Sequence, residues 1–387
     1  MNYKGLRVFL LDGYGRMLPT ILRQLHELGC VITTLNDSKL DIGYTSRYPV
    51  KRLLARGIRN DFELLRRVII QELKSGNYDV FFPMIEHSTD ILTQLQIEGK
   101  LGNVKLVSAP RDAFLKAFDK ELTMNVCMDN DIPCPLTKRD TETLDEYLSK
   151  VKFPLACKPR KGTGSTGFKK VENREQLEGY IADGSICMEE YVIQEFIPHT
   201  DYHYGIYMMF DNDGNYVYSV TVRNCRQYPV DSGPGCYIYT INDEEIKRNS
   251  IKLMQALGWK GFGHVGLIMD PRDHKAKVME INGRIASGIR TCNLVGIPSV
   301  KILLDYAFGL PISFKEQPYP ERIALRHSQA DIMWLIKAKN RFSSTPSWFN
   351  FKNNHDYVFS WRDPLPWFSY SLEHILTYKK DMDKRSH

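Results

Sequence analysis

Three short segments, in this order along the chain, hold the side chains best suited to chemistry. Residues 154–167 read PLACKPRKGTGSTG, residues 192–198 read VIQEFIP, and residues 278–284 read VMEINGR. Lys158 lies in an apolar run, and an ammonium group buried there needs an anionic partner because an unpaired buried charge is costly. A phosphate or a carboxylate could be that partner.

The glycine-rich stretch at residues 162–167 follows Lys158 closely. It offers backbone N–H groups and hydroxyls with little side-chain bulk, so it can wrap around phosphate oxygens. It lacks the Gly-Lys-Ser/Thr of a P-loop, which excludes that class of phosphate site. A flexible surface loop is the alternative, but the nearby Lys158 favours a phosphate-binding loop.

Glu280 and Asn282 place two oxygen ligands on one face of a strand, because residues i and i+2 point the same way. Hard oxygen donors suit Mg²⁺ that is bound jointly with substrate phosphates. Arg284 follows on the same side and could neutralise charge on a transferring phosphoryl group. The third segment therefore predicts a magnesium–phosphate site.

Arg223 and Arg226 end a predicted strand and precede a small-residue stretch, SGPGC at residues 232–236. Two arginines beside such a stretch are typical of an anion site, here for a γ-phosphate or an acyl phosphate. The alternative is a solvated loop with surface arginines. Cys236 has no histidine close by in sequence, so no covalent thiol chemistry is predicted.

Taken together, the three segments resemble the ATP-grasp superfamily over roughly residues 1–315. The resemblance implies that Lys120 and Lys158 contact the phosphates of ATP. It assigns residues 162–167 to a lid that closes over those phosphates, through Gly162, Gly164, Ser165 and Gly167. It places Mg²⁺ on Glu280 and Asn282, and an acyl phosphate on Arg284, Arg223 and Arg226.

The same resemblance makes residues 192–198 the hinge strand that meets the adenine of ATP. It implies contacts by Gln194, and by the backbone of Glu195 and Ile197. Asp201 falls where the family has an acid on the ribose hydroxyls; an ordinary turn residue is the alternative.

Two positions depart from the family pattern. Gly283 stands where the motif usually has proline, which loosens the turn without removing a ligand. Gly266 stands on the preceding strand where the family usually carries a further metal ligand, and only His264 and Asp270 are near. Metal binding is then expected to rest on Glu280, Asn282 and ATP itself.

Alternation of apolar runs and turn residues indicates the fold class. Strands at residues 8–11, 31–35 and 78–83 alternate with helices, which predicts a parallel sheet covered on both faces. One helix is expected at residues 112–127, followed by hairpins at 202–223 and 265–281. The prediction is an α/β N-terminal parallel-sheet domain followed by a two-part α+β ATP-grasp domain. The expected parts are residues 1–110, 111–192, 193–315 and 316–387.

Ligands of parallel sheets bind at the carboxyl ends of the strands. Asp12 opens a Gly-Tyr-Gly turn there, but the third glycine of a dinucleotide-binding fingerprint is missing, which favours an ordinary turn. Asp12, Asp37 and Glu86 are expected to help shape a pocket for the acceptor substrate.

Composition sets broad limits on function. The net charge of +6 is mild, and no basic–aromatic interleaving indicates a groove for nucleic acid. No apolar run reaches the length of a membrane span, and no leader peptide is recognised. Eight cysteines without a Cys-x-x-Cys pair favour neither zinc nor redox chemistry, and a cytoplasmic location is expected.

The last quarter of the chain is rich in aromatic residues and ends in a basic tail at residues 379–385. Residues 365–378 could lie on a membrane surface or a partner. A helix that packs back on the body is the favoured alternative. The sequence indicates no oligomeric state.

Within the superfamily, the chain looks closest to the carboxylate–amine ligase branch that includes carbamoyl-phosphate-synthetase-like proteins. That branch implies an ATP- and Mg²⁺-dependent ligase that converts a small carboxylate to an acyl phosphate and joins it to an amine. The alternative is a catalytically degenerate ATP-grasp module that binds nucleotide and acts through a partner, since Gly266 removes a ligand.

Overall fold

The N-terminal part is a three-layer α/β unit. The computed structural model describes residues 1–162, 167–198, 203–230 and 233–383, with the backbone alone for 378–383. The unit contains β1 (Arg7–Leu10), α1 (Leu18–Glu27), β2 (Val31–Asn36), α2 (Ile42–Thr45), β3 (Lys51–Leu54), α3 (Phe62–Lys74), β4 (Val80–Phe82), α4 (Glu86–Ile97) and β5 (Lys105–Leu106). All pairings are parallel and the strand order is β3-β2-β1-β4-β5. The predicted parallel sheet is confirmed.

Two strands of this sheet have no apolar signature and were not expected. β3 is mostly exposed and β5 contributes two residues, so neither reads as a buried strand. The central strands carry the signal, because Val8, Phe9 and Leu10 are fully buried. The central strands of a sheet can therefore be predicted from their continuous apolar residues, whereas exposed edge strands leave no such pattern in the sequence.

The next part holds a small antiparallel sheet and its helices. Its elements are α5 (Arg111–Phe118), α6 (Lys120–Asp129), α7 (Leu144–Leu148), β6 (Leu155–Pro159), β7 (Lys169–Val171), α8 (Arg174–Ala182) and β8 (Tyr191–Glu195). The strand order is β7-β6-β8, and the boundary expected at residues 192/193 falls inside β8.

The single helix expected at residues 112–127 is wrong, because Asp119 divides it. Asp119 has an extended backbone, and its carboxylate accepts from the N–H groups of Glu121 and Leu122 at the start of α6. An N-cap residue within a stretch of helically spaced apolar residues hardly changes that spacing. The hydrophobic pattern of the sequence therefore does not show the break between α5 and α6.

A larger sheet forms the third part and joins the C-terminal residues to the rest. Its elements are β9 (His203–Phe210), β10 (Tyr216–Gln227), β11 (Gly235–Ile241), α9 (Glu244–Ala256), β12 (Gly261–Met269), β13 (Ala276–Asn282), α10 (Ile289–Leu294), α11 (Ser299–Ala307), β14 (Ala324–Arg326), α12 (Ser328–Lys337), β15 (Asn354–Asp356) and α13 (Leu365–Asp383). The order is β13-β12-β9-β10-β11-β14-β15, and both predicted hairpins are present. Residues 316–387 thus contribute two strands to this sheet.

The last helix packs back on the body. Ser369 of α13 hydrogen-bonds Thr45 of α2 at 2.8 Å, and Trp367 and Tyr370 pack against the core that includes the N-terminal sheet. Its other face is apolar and exposed, through Leu365, Phe368, Leu372, Ile375 and Leu376. Across the described part of the chain, no helix combines the length and apolar character needed to cross a membrane.

Candidate active site

Lys158 lies on β6, the central strand of the small sheet, and points toward the large sheet. Its Nζ is 3.5 Å from the carbonyl oxygen of Met279 on β13. Burial lowers the pKa of Lys158 to about 8, and the nearby Glu280 partly opposes that shift. Within the described residues no carboxylate comes within ion-pair distance of Lys158. A desolvated cation with this surrounding is suited to bind phosphate.

Lys120 begins α6 and faces the start of the glycine-rich loop. Its Nζ donates to the carbonyl oxygen of Gly162 at 2.8 Å and to that of Pro159 at 3.3 Å. Burial lowers its pKa, while Glu280 acts in the opposite direction. Both lysines therefore lie within electrostatic reach of the same carboxylate, Glu280, and their contact with phosphate stays a prediction.

The described ends of the loop require glycine. Gly162 has φ of +124° and Gly167 has φ of +74°, a region that other residues rarely adopt. A Cβ atom at Gly167 would lie 2.8 Å from Cγ of Pro159. Gly164, Ser165 and Asp201 fall outside the described residues, so their assignments stay predictions.

A β-bulge sets the register of the predicted metal pair. Gly266 of β12 is opposite Glu280, whereas the next residue pairs with Val278, so Met279 is the extra residue. Bulges are common beside active sites, where they re-aim side chains. Glu280 and Asn282 lie on the face that carries His264, because Asn282 pairs with His264 and Glu280 is two residues away on the regular side of the bulge. The carbonyl of the bulged residue faces Lys158.

His264 is the side chain that stands beside the metal pair. Asn282 Nδ2 donates to His264 Nδ1 at 3.1 Å and to Glu280 Oε1 at 3.3 Å. The imidazole stacks on Tyr207 with ring centroids 4.7 Å apart. Burial lowers the pKa of His264 to about 4, so the ring is neutral at pH 7. A neutral ring can accept the amide proton and leaves the local charge to Glu280.

Asp270, the other neighbour considered for the missing ligand, lies in a separate ion cluster. Its carboxylate is buried and pairs with Arg272 at 2.5 Å and Lys277 at 2.7 Å. These partners hold the pKa of Asp270 well below its usual range. Asp270 is thus committed to structure and is not one of the groups beside Glu280.

The chemistry of the donors fits a magnesium ion that ATP helps to hold. Glu280 and Asn282 offer one carboxylate and one amide oxygen on a single face, which suits an ion that keeps waters and phosphate ligands. The described residues include no cluster of three or more His, Cys, Asp or Glu arranged for a metal. The pair alone is no complete cage, in keeping with glycine at position 266.

Arg284 connects this group to the N-terminal sheet. Its Nε donates to Glu86 Oε1 at 2.7 Å, and its Nη2 donates to Asn282 Oδ1 at 3.2 Å. Glu86 is the first residue of α4, at the carboxyl end of β4. The oxygen of Asn282 that would ligate a metal is therefore also oriented by Arg284, and the three residues form a continuous polar row.

The side chains of the hinge residues, 194–197, contact other segments of the same protein. Gln194 is buried and its Nε2 donates to Thr137 Oγ1 at 2.6 Å. Glu195 accepts from Leu136 N at 3.0 Å and from Lys277 at 3.1 Å, and Ile197 is buried. Both polar side chains are engaged within the protein, which leaves the backbone as the group that an adenine could meet here; the adenine contact stays a prediction.

The structure does not bring Arg223 and Arg226 to the metal pair. Glu280, Gly266, Gly205 and Val222 form one row across the sheet, so Arg223, adjacent to Val222, points to the opposite face. Arg226 is buried against Asp331 of α12 at 2.6 Å, and both side chains are almost inaccessible. The expectation that these arginines join Arg284 is corrected: strand alternation separates the first, and a buried carboxylate occupies the second.

A cavity of about 350 Å³ opens beside Arg284. It is lined by residues 14–17, Arg59 and Ile85 of the N-terminal unit, by Tyr228, Pro234 and Ser287 of the large sheet unit, and by residues of α12 and α13. Asp12 and Asp37 are not among the lining residues. Asp12 instead accepts from Met84 N and Ser88 Oγ, and burial raises its pKa to about 6.

Sequence reasoning missed the residues that close this cavity. Arg16 follows the turn after β1, at the sheet edge where ligands bind, and that position is the only signal for it. His327, Tyr370 and Glu373 belong to the C-terminal segment, where nothing in their spacing indicates a shared site. They meet because β14 and α13 fold back over the N-terminal turn.

Comparisons with known proteins agree with the fold. Residues 119–314 match the family model described as the carbamoyl-phosphate synthase L chain, ATP binding domain. Biotin carboxylase from Campylobacter jejuni, solved as a βγ-ATP complex, has a TM-score of 0.65 at 17% identity, over 79% of this chain and 71% of that one.

Two further solved structures are similar to the chain. An L-amino acid ligase from Bacillus licheniformis has a TM-score of 0.60 at 18% identity, over 79% of this chain and 74% of that one. The N5-carboxyaminoimidazole synthetase of Staphylococcus aureus, complexed with ADP, has 0.61 at 13% identity, over 81% of each. At such identities the likeness shows the fold alone.

Proposed function

Because the chain belongs to the carbamoyl-phosphate synthase L chain ATP-binding family, within the ATP-grasp superfamily, we propose that it is a ligase that couples ATP cleavage to amide formation. Its substrates would be a small carboxylate and an amine, and Mg²⁺ would bind between Glu280, Asn282 and the ATP phosphates. One of the similar structures is named a ligase and another a carboxylase, so bicarbonate belongs among the candidate acids.

The proposal rests above all on two lysines without carboxylate partners. Lys158 and Lys120 approach Glu280 from different elements, and each contacts only backbone carbonyls among the described residues. Keeping two partly buried ammonium groups without an anionic partner costs free energy that a bound polyanion would offset. The triphosphate of ATP is such a polyanion, and Arg284 and Glu280 adjoin the place where its terminal phosphate would lie.

The reaction would proceed in two displacements. A carboxylate oxygen attacks the γ-phosphorus, the bond to the β–γ bridging oxygen breaks, and ADP leaves with that electron pair. The amine nitrogen then attacks the acyl carbon, phosphate leaves, and the amine loses a proton to solvent or phosphate. Mg²⁺, when bound, would offset the charge of the phosphates, while Lys158, Lys120 and Arg284 orient them.

The alternative is a nucleotide-binding module without turnover. Gly266 favours it, because this strand offers no carboxylate opposite Glu280. His264 adjoins the pair but is neutral and already bonded to Asn282. This alternative predicts ATP binding with no carboxylate-dependent phosphate release.

The test incubates the full chain with ATP, Mg²⁺, hydroxylamine and a panel of acids that includes bicarbonate, amino acids and short peptides. Phosphate release and hydroxamate are both measured, because hydroxylamine captures any acyl phosphate as a hydroxamate. We expect stoichiometric phosphate and hydroxamate with a subset of organic acids.

Glu280→Gln is the matched control, since it keeps the shape of the side chain and removes its charge. It should strongly lower hydroxamate formation while ATP binding, measured by calorimetry without Mg²⁺, is retained. Bound ATP with no acid-dependent phosphate in the natural protein would instead establish the module. Phosphate release with bicarbonate alone would identify bicarbonate as the activated acid.

A further inference from the structure

We propose that the acid bound by this protein carries a second anionic group, and that Arg16 binds it in the cavity walled by the C-terminal segment. This inference rests on the proposed ligase activity, because that activity requires a bound acid. The residues that carry the inference are separate from those proposed to bind ATP and Mg²⁺. The second group would be a carboxylate or a phosphate, distinct from the carboxylate that is activated beside Arg284.

Three arginines line the cavity, and two of them already have carboxylate partners. Arg284 pairs with Glu86 at 2.7 Å. Arg59 pairs with Asp41, which is fully buried, and with Glu373 of α13 at 2.8 Å. Each of these guanidinium groups is therefore largely neutralised from within the protein.

Arg16 is different, because the described residues provide no carboxylate within ion-pair distance of it. It is half-buried, and its guanidinium lies 5.3 Å from the ring centroid of Tyr357. A guanidinium that faces a cavity with aromatic and imidazole neighbours, and without an acid, presents donors suited to a planar anion. The guanidinium of Arg16, which faces the cavity with no carboxylate at ion-pair distance among the described residues, is the observation that points to a ligand.

The C-terminal segment fixes the position of Arg16. Arg16 Nη1 donates to His327 Nδ1 at 3.0 Å, so that nitrogen must carry a lone pair. His327 Nε2 then carries the proton and can donate to the hydroxyl of Tyr370, 3.2 Å away. Arg16, His327 and Tyr370 form one hydrogen-bonded chain from the first turn of the fold to its last helix.

The cavity has two cationic regions with different neighbours. Arg284 belongs to the row that contains Asn282, next to the proposed phosphates. Arg16 is held by residues from β14 onward, and both arginines lie within electrostatic range of Tyr207. A substrate that spans them presents one carboxylate to Arg284 for activation and a second anion to Arg16. A space of about 350 Å³ accommodates a small molecule of that kind.

The test compares acids of equal length that differ by one charge: succinate with butyrate, and glutarate with pentanoate. Binding is measured as the rise in Tm of the full chain with MgADP, which does not depend on turnover. Activity is measured in parallel as hydroxamate formation. We expect the diacids to bind more tightly than the monoacids, and Arg16→Met to weaken diacid binding by about 10–100-fold while monoacid binding is unchanged.

Arg341→Met is the control, because Arg341 lies in the same segment but does not line the cavity. His327 is tested as a positioning residue: His327→Ala should lose the diacid preference and His327→Asn, whose amide oxygen can accept from Arg16, should restore it. Equal Tm shifts for diacids and monoacids in the natural protein would overturn the proposal, as would diacid binding that Arg16→Met leaves intact. Diacid binding without any hydroxamate would overturn the ligase but keep Arg16.

Discussion

Two groups of charges lie at opposite ends of strand β13, and they are built differently. At the first end, Lys277 pairs with Asp270 at 2.7 Å and with Glu195 at 3.1 Å, and Arg272 pairs with the same two acids. At the second end, Glu280 and Asn282 face lysines that have no carboxylate in contact. The charges of the first group are neutralised within the protein, whereas under the proposed function those of the second would be neutralised by a bound polyanion and a cation.

The contrast extends to proton affinity. In the self-satisfied group, cationic partners hold the pKa of Asp270 well below its usual range, so its pairing stabilises the fold above the unfolded pKa and is lost as the pH falls. In the other group, burial lowers the pKa of Lys158 to about 8. Because the pKa of Lys158 in the folded protein lies below that of an unfolded lysine, stability falls as the pH drops from about 10.5 toward 8, and the full cost remains below pH 8. A bound phosphate would offset that cost.

The largest expected effect comes from the end of β13 that carries Glu280 and Asn282. Glu280→Gln should lower hydroxamate formation by about 10²–10³-fold, because the negative charge that helps to hold Mg²⁺ against the phosphates is lost. Initial rates at saturating ATP measure it. A rate within threefold of the natural protein would show that Glu280 is not part of the site.

A comparable loss of one carboxylate charge in the group around Lys277, at the other end of β13, should affect stability instead. Asp270→Asn removes the buried charge that Lys277 and Arg272 share, and should cost about 2 kcal/mol of unfolding free energy, less than a fully buried pair because Arg272 is half exposed. Urea denaturation measures this cost. If this variant instead lost activity at unchanged stability, the distinction between the two ends would be wrong.

The missing ligand can be restored. A Cβ atom at Gly266 would lie 3.3 Å from Cγ of Glu280, a flexible side chain that can adjust. Gly266→Glu should lower the Mg²⁺ concentration for half-maximal rate by about tenfold, a shift of about 1.4 kcal/mol. Gly266→Ala controls for the added bulk. An unchanged Mg²⁺ requirement would show that position 266 does not face the ion.

The smallest effect is a pH dependence of nucleotide binding. Lys158 is half protonated near pH 8 in the free protein, and phosphate favours its charged form. ATP binding should therefore take up about 0.5 proton at pH 8, and affinity should fall about twofold from pH 7 to pH 8. Calorimetry in buffers of different ionisation enthalpy measures the uptake, and Lys158→Met should abolish it.

Short sequence motifs predicted most residues of the candidate site. The positions of the others depend on strand pairing and on buried partners that are distant in sequence. Glu280, Asn282 and Lys158 could be predicted as candidates because a strand places i and i+2 on one face and because a lysine in an apolar run needs a partner, and the structure brings them together. Arg226 was misassigned because its partner, Asp331, is 105 residues away. Sequence spacing contains no information on such a partner.

The residues near Gly266 illustrate the same limit. His264 lies two residues and Asp270 four residues from Gly266, and only the pairing of His264 with Asn282 and the salt bridges of Asp270 show which of them adjoins Glu280. The parallel sheet and both hairpins could be predicted from buried alternation. The exposed strand β3 and the break at Asp119 could not, because neither changes the apolar pattern.

The hydrogen bond from Arg16 to His327 joins residues that are 311 positions apart, and it bears on the order of events during synthesis. At about 5–20 residues per second, Tyr370 leaves the ribosome roughly 20–70 s after Arg16. The N-terminal sheet can form in that interval, but the wall of the cavity cannot. A nascent chain therefore acquires Lys120 and Lys158 well before the cavity beside Arg16 is complete, because that cavity closes only when the last helix docks.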